Sequence, residues 1–112
     1  MISWLRYGVD GMAVIARLIK NIKGTVLAMC DDGLLGKKYS EGKVVLDLIK
    51  YRGFYEGEKL DESGEELKKM ISEAGSINAV GKNSVRVLQE FGYDTSAAKS
   101  VQTVPYLHVY KI

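Results

Sequence analysis

This chain of 112 residues holds one cysteine, one proline, one tryptophan, one histidine and two phenylalanines. Each scarcity excludes something. Cys30 alone cannot close an intrachain disulfide or supply a cysteine-rich zinc site. That fits a reducing, cytoplasmic setting. His108 is the one imidazole, so a histidine-based nucleophile or metal site has a single candidate partner. No apolar run approaches the roughly 20 residues a membrane helix needs, so no membrane partner is expected. Arg6 and Asp10 interrupt the apolar residues near the N-terminus, which argues against a signal peptide.

What is present is ordinary for a folded protein. The chain is 46% hydrophobic and 27% charged, with twelve glycines and seven tyrosines. That bounds it to one domain with a modest core. The net charge is only +2, but it is unevenly spread. Residues 17–52 hold eight basic side chains against four acidic ones, and residues 53–75 hold three against seven. Two solvated faces of opposite sign would explain this pattern. A basic surface for an anionic partner would explain it too.

Residues 1–11 lack clean alternation and read as an N-terminal arm or extension, with Met12 as an alternative start. Residues 12–112 read as the domain. Met12 to Lys20 suits a strand, Asn21 to Gly24 a turn, and Thr25 to Cys30 a second strand, together a hairpin. Asp31-Asp32-Gly33 reads as a turn and Gly36 to Gly42 as a loop. Val44 to Lys50 is nearly all apolar and predicts a third strand, central and covered on both faces. Asp61 is placed to cap a helix, with Glu62, Glu65 and Glu66 at its positive end and Leu67, Met70 and Ile71 on its buried stripe. Gly75 is its natural stop, and Ser76 to Gly81 reads as a short connector. Asn83 or Ser84 caps a second helix ending near Phe91 and Gly92. Tyr93 to Ser100 reads as a polar loop, and Val101 to Ile112 as a last strand with core candidates that include Ile112. Pro105 cannot donate to a ladder, so that strand lies at an edge or bends there. The order β-β-β-α-α-β predicts an α+β domain: an antiparallel or mixed sheet with two helices packed on it.

Catalytic chemistry finds little support. Gly36 to Lys43 resembles a phosphate loop, but five residues separate its glycines and Val44 stands where magnesium needs Ser or Thr. Asp31 and Asp32 beside Cys30 disfavour a thiolate, so Cys30 reads first as a core residue. His108 likewise reads as a strand residue before a base. No metal shell or cofactor motif closes. The charge pattern fits nucleic acid better. Lys37, Lys38 and Lys43 surround Tyr39, and Lys50, Tyr51, Arg52 and Tyr55 follow with Phe54. Cations meet phosphates and aromatic rings stack on unpaired bases.

The spaced residues Cys30-Asp31, Leu34-Leu35-Gly36-Lys37, Tyr39-x-Glu41-Gly42, Leu46-Asp47 and Phe54-Tyr55-x-Gly57-Glu58 resemble a small archaeal family catalogued as domain of unknown function 424. Asn78-x-Val80-Gly81 and Val104-Pro105 extend the likeness across residues 12–112. One stretch differs: Tyr106-Leu107-His108 stands where the family carries His-Ala-Gln, so no role passes to His108. The resemblance implies an archaeal cytosolic protein of α/β content with no established activity, loosely associated with translation genes. The expected function is therefore an RNA-associated protein of the translation apparatus, with the ribosome as its expected partner. The alternatives are a small enzyme or metabolite-binding protein with a site around Cys30, Asp31, Lys37, Glu41 and Glu58, and a module that binds another protein through its aromatic loop.

Overall fold

The computed structural model describes residues 13–61 and 64–111. The N-terminal arm, Met12, Glu62 and Ile112 lie outside the described residues. The first two strands form as the pattern predicts. β1 (Ala13–Asn21) and β2 (Gly24–Asp31) pair antiparallel through a two-residue turn, with Asn21 opposite Gly24. Their alternation sends Val14, Ala16, Leu27 and Met29 to one face and Ile15, Ala28 and Cys30 to the other.

The third strand departs from expectation. Lys38–Glu41 (β3) and Val44–Asp47 (β4) make a separate two-stranded hairpin. The predicted loop is thus half strand, and Val44–Lys50 is not central: Val44, Val45 and Ile49 are 46%, 49% and 59% exposed. The reason lies in Asp47. Its carboxylate accepts the amides of Ile49 (3.2 Å) and Lys50 (2.8 Å), which turns the chain out of extended geometry. Only Leu48 of that run is buried.

A short helix, α1 (Arg52–Tyr55), follows and leads into β5 (Glu58–Asp61), which pairs with the outer side of β1. Asp61 therefore ends a strand and does not cap a helix. Helix α2 (Glu65–Glu73) starts after Gly64. Its acidic first turn and its buried Leu67 and Ile71 are as the spacing predicts.

The predicted connector at Ser76 is a strand. β6 (Ser76–Val80) lies parallel to β2. It carries Ile77 and Ala79 into the core, and its five residues are too few for periodicity to separate strand from loop. Helix α3 (Lys82–Glu90) follows. The strand pairing starts at Lys99, inside the predicted polar loop, and the predicted last strand is broken into β7 (Lys99–Val101) and β8 (Val104–Tyr110), joined by Gln102 and Thr103 in left-handed conformations (φ 49° and 68°). That is the two-residue turn geometry of a tight hairpin. Val101 and Val104 close it. Ser100 and Pro105 then face each other without ladder bonds, so the missing proline N–H costs this pairing nothing.

The main sheet has the order β5-β1-β2-β6-β8-β7, with one parallel pair. The α+β class with a mixed sheet holds. Helices α2 and α3 pack on one face through Leu67, Ile71, Val87 and Leu88. On the opposite face, Leu34, Leu46, Leu48 and Tyr55 cover Cys30 and Val80.

Candidate functional site

The hairpin β3–β4 and helix α1 form one unit that packs on the sheet over Cys30 and Val80 through Leu46, Leu48 and Tyr55. Its neck is closed by backbone bonds between Gly36 and Leu48 (3.1 Å) and between Leu48 and Lys37 (2.9 Å). Leu48 anchors it from below. The Arg17 guanidinium donates to the Gly53 carbonyl and ties α1 to β1. Glu41 accepts the Gln102 amide at 2.7 Å and ties the hairpin to the β7–β8 turn.

The predicted cationic residues lie on this unit. Lys37, Lys38, Lys43, Lys50 and Arg52 are all exposed. Arg52 pairs with Glu56 at 2.8 Å. The Lys50 ammonium sits 5.4 Å above the ring of Tyr51, which is 54% exposed. The acids are engaged elsewhere. Asp47 is held below the usual carboxylate range, chiefly by the Lys50 amide, and Glu41 is bonded to Gln102. Between the cations lie the apolar Val44, Val45 and Ile49. The predicted aromatics divide. Tyr51 is free to stack and Tyr39 is half-buried. Tyr55 packs on the Cys30 cluster, and burial pushes its phenol up to about 12.

The residues that carry the family resemblance prove mostly architectural. Asp31 ends β2 on the helix face and reaches the start of α3. Its carboxylate accepts the amides of Asn83 (3.0 Å) and Ser84 (2.8 Å) and the Ser84 hydroxyl (2.9 Å). It caps a helix from 52 residues away, in the place the sequence assigned to Asn83 or Ser84 themselves. Burial pushes its pKa up, against the lowering effect of those donors. Gly81 makes the cap possible: its φ is 108°, and a Cβ there would lie 2.2 Å from the Asp31 carboxyl carbon. The Pro105 carbonyl accepts the Gly81 amide at 2.7 Å. Gly57 lets the chain pass close over β1, where a Cβ would meet the Ala16 carbonyl oxygen at 2.2 Å. Gly42 turns β3 into β4, and Leu35 and Gly36 lead into the neck. The anion-binding end of α3, a candidate phosphate cradle by position, is thus filled by the protein's own carboxylate.

The alternative catalytic set does not gather. Cys30 is fully buried; burial, with Asp31 and then Asp32 adding to it, pushes the thiol up to about 12. Asp31 and Tyr39 line a groove of about 380 Å³ beside Lys82 and Gln102, with Glu41 at its rim. Glu58 lines a different groove, with Arg17, Glu66 and Lys69. Lys37 is on the exposed unit. Among the described residues, no group of three or more His, Cys, Asp or Glu is placed to hold a metal ion. No helix among them is long and apolar enough to cross a membrane.

A second surface depends on β6, whose residues the sequence predicts as a connector. On the face away from α2 and α3, the registers align Arg17, Ala28, Asn78 and His108 in one row across four strands. Ile19, Val26, Ser76 and Tyr110 make the next row. The alternation of Ser76 and Asn78 with Ile77 and Ala79 was its only sequence signal.

Comparison with known proteins follows the architecture. A family model described as protein of unknown function DUF424 matches residues 20–112. No curated protein matches the chain. A crystal structure described as an uncharacterized conserved protein from Methanopyrus kandleri is similar, at 22% identity and a TM-score of 0.73, over 88% of this chain and 90% of that one. At that identity the likeness concerns the fold. The family match spans the hairpin unit, the capped helix and the terminal strands alike, and the chain belongs to the DUF424 family of proteins of unknown function.

Proposed function

We propose that this protein associates with RNA of the translation apparatus, with the ribosome as its partner, and attaches through the β3–β4–α1 unit. One observation carries the reading: Lys37, Lys38, Lys43 and Lys50 are exposed on the same unit as the exposed Tyr51, and the unit's acids Glu41 and Asp47 are bonded to backbone amides. The net field of that unit is cationic. Phosphates would meet the lysines and release counterions, and an unpaired base would stack on Tyr51. The reading belongs with a cytoplasmic protein. The exposed Val44, Val45 and Ile49 favour a second reading, a protein partner on the same unit.

Co-sedimentation with ribosomal subunits over a salt series is the test. Binding is expected at low salt and should fade as salt rises. Replacing Lys37 and Lys38 by Glu should weaken RNA binding and lower the salt slope by about 2. Absence from every subunit fraction at low salt would overturn the proposal. Ribosome binding that ignores both substitutions would favour the protein partner.

A further inference from the structure

We infer that the open face of the six-stranded sheet is a platform for the unpaired bases of single-stranded RNA. The inference rests on the RNA reading above and names the form of RNA and the surface that takes its bases.

Four features converge. First, the face holds a groove at one end, of about 580 Å³, bounded by Lys23, Val26, Phe54, Asn78, His108 and Tyr110. Second, it is aromatic. The His108 and Tyr110 rings sit 4.2 Å apart at 48°, and Tyr110 is 74% exposed. A tyrosine carried by a strand yet left in water presents an open ring face, the kind on which bases stack regardless of sequence. Asn78, in the floor beside them, offers an amide donor and acceptor to a base edge. Third, the groove is cationic: Lys23 and Lys111 line it and, among the described residues, no carboxylate does. The side chains that β1, β2, β6 and β8 send to this face, from Ile15 and Arg17 to His108 and Tyr110, include no carboxylate among the described residues, and β5 at the edge adds Lys59 and Asp61. Lys23 stands at the groove's end. Fourth, the face continues into the proposed attachment surface. Phe54 and Asn78 also line a second, apolar groove with Val45 and Tyr51. A strand could therefore run from Tyr51, past Phe54, to Tyr110. A duplex could not use this path, because its bases are already paired and stacked.

The test is fluorescence anisotropy of the full chain with a labelled single-stranded RNA decamer and with a duplex of the same sequence. The variants are Tyr110→Ala, Tyr110→Phe and His108→Ala. Tyr110 and His108 are exposed, so the fold should survive, and circular dichroism checks this. Tyr110→Ala should weaken single-strand binding by roughly 5- to 150-fold. Its salt slope should stay at the wild-type value, and Tyr110→Phe should bind like the wild type. His108→Ala should weaken binding in the same sense. Duplex bound as tightly as single strand, or Tyr110→Ala and His108→Ala bound as tightly as wild type, would overturn this inference while leaving the attachment through Lys37 and Lys38 intact. No binding of either RNA at low salt would overturn both.

Discussion

Cys30 lies in the middle of the sheet, fully covered by Leu48 and Tyr55, and its Sγ contacts the Asp31 carbonyl at 3.4 Å. Its thiol is raised from 9.0 to about 12, and the Tyr55 phenol from 10.0 to about 12, both mainly by burial. Both groups hold their protons in the folded chain at pH values where the unfolded chain releases them. Their contribution to stability is therefore complete below pH 9 and is lost as pH rises toward 12. Urea midpoints should fall steeply between pH 9 and 11, and the double variant Cys30→Val, Tyr55→Phe should flatten that fall. In the same way Cys30 should resist thiol reagents at pH 8 until the protein is unfolded. The pairing of Cys30 with Asp31 in the sequence suggested chemistry. Alternation sends the two side chains to opposite faces of the sheet, one into an apolar cluster and the other to a helix end.

At the scale of elements, the entry to α3 is built from three distant segments: Asp31 on β2, Gly81 after β6, and Pro105 on β8. Replacing Asp31 by Ala leaves the first turn of α3 uncapped and should cost about 1–3 kcal/mol in urea unfolding. Gly81→Ala should cost at least ~1–3 kcal/mol from its backbone conformation alone, with the overlap on Asp31 added. Because truncating Asp31 removes the atom that a Cβ at Gly81 would strike, the double variant should cost less than the sum of the two. Additive costs would mean the Gly81 constraint is purely one of φ. None of this was legible locally. Lys82-Asn83-Ser84 contains two good capping residues, and sequence spacing cannot see a carboxylate arriving from 52 positions away.

At the scale of the whole molecule, the two sheets should differ in stability. β2 and β6 are paired on both sides and covered by helices. The β3–β4 hairpin is paired only with itself, its Val44 and Val45 face water, and it is tied down by Leu48, Glu41 and the neck. Hydrogen exchange should show the amides of Ala28 and Ile77 opening only with global unfolding, and those of Tyr39 and Leu46, which form a hydrogen-bonded pair of the hairpin, opening at lower cost. Equal protection would mean that the hairpin is an integral layer of the core. The exposed apolar side chains that lower its protection are the same ones offered to a partner.

The β1–β2 hairpin, the two amphipathic helices and the cationic, tyrosine-bearing stretch from Lys37 to Arg52 are each written in neighbouring residues: alternation, a 3.6-residue stripe, or a local run of charge. Long-range packing, by contrast, takes Val44–Lys50 out of the main sheet, brings Ser76–Val80 into its centre, and sets Arg17, Asn78, His108 and Tyr110 on one open face. Those outcomes depend on strand pairing and on which element covers which face. Such contacts join residues far apart in the chain, and no local pattern encodes them.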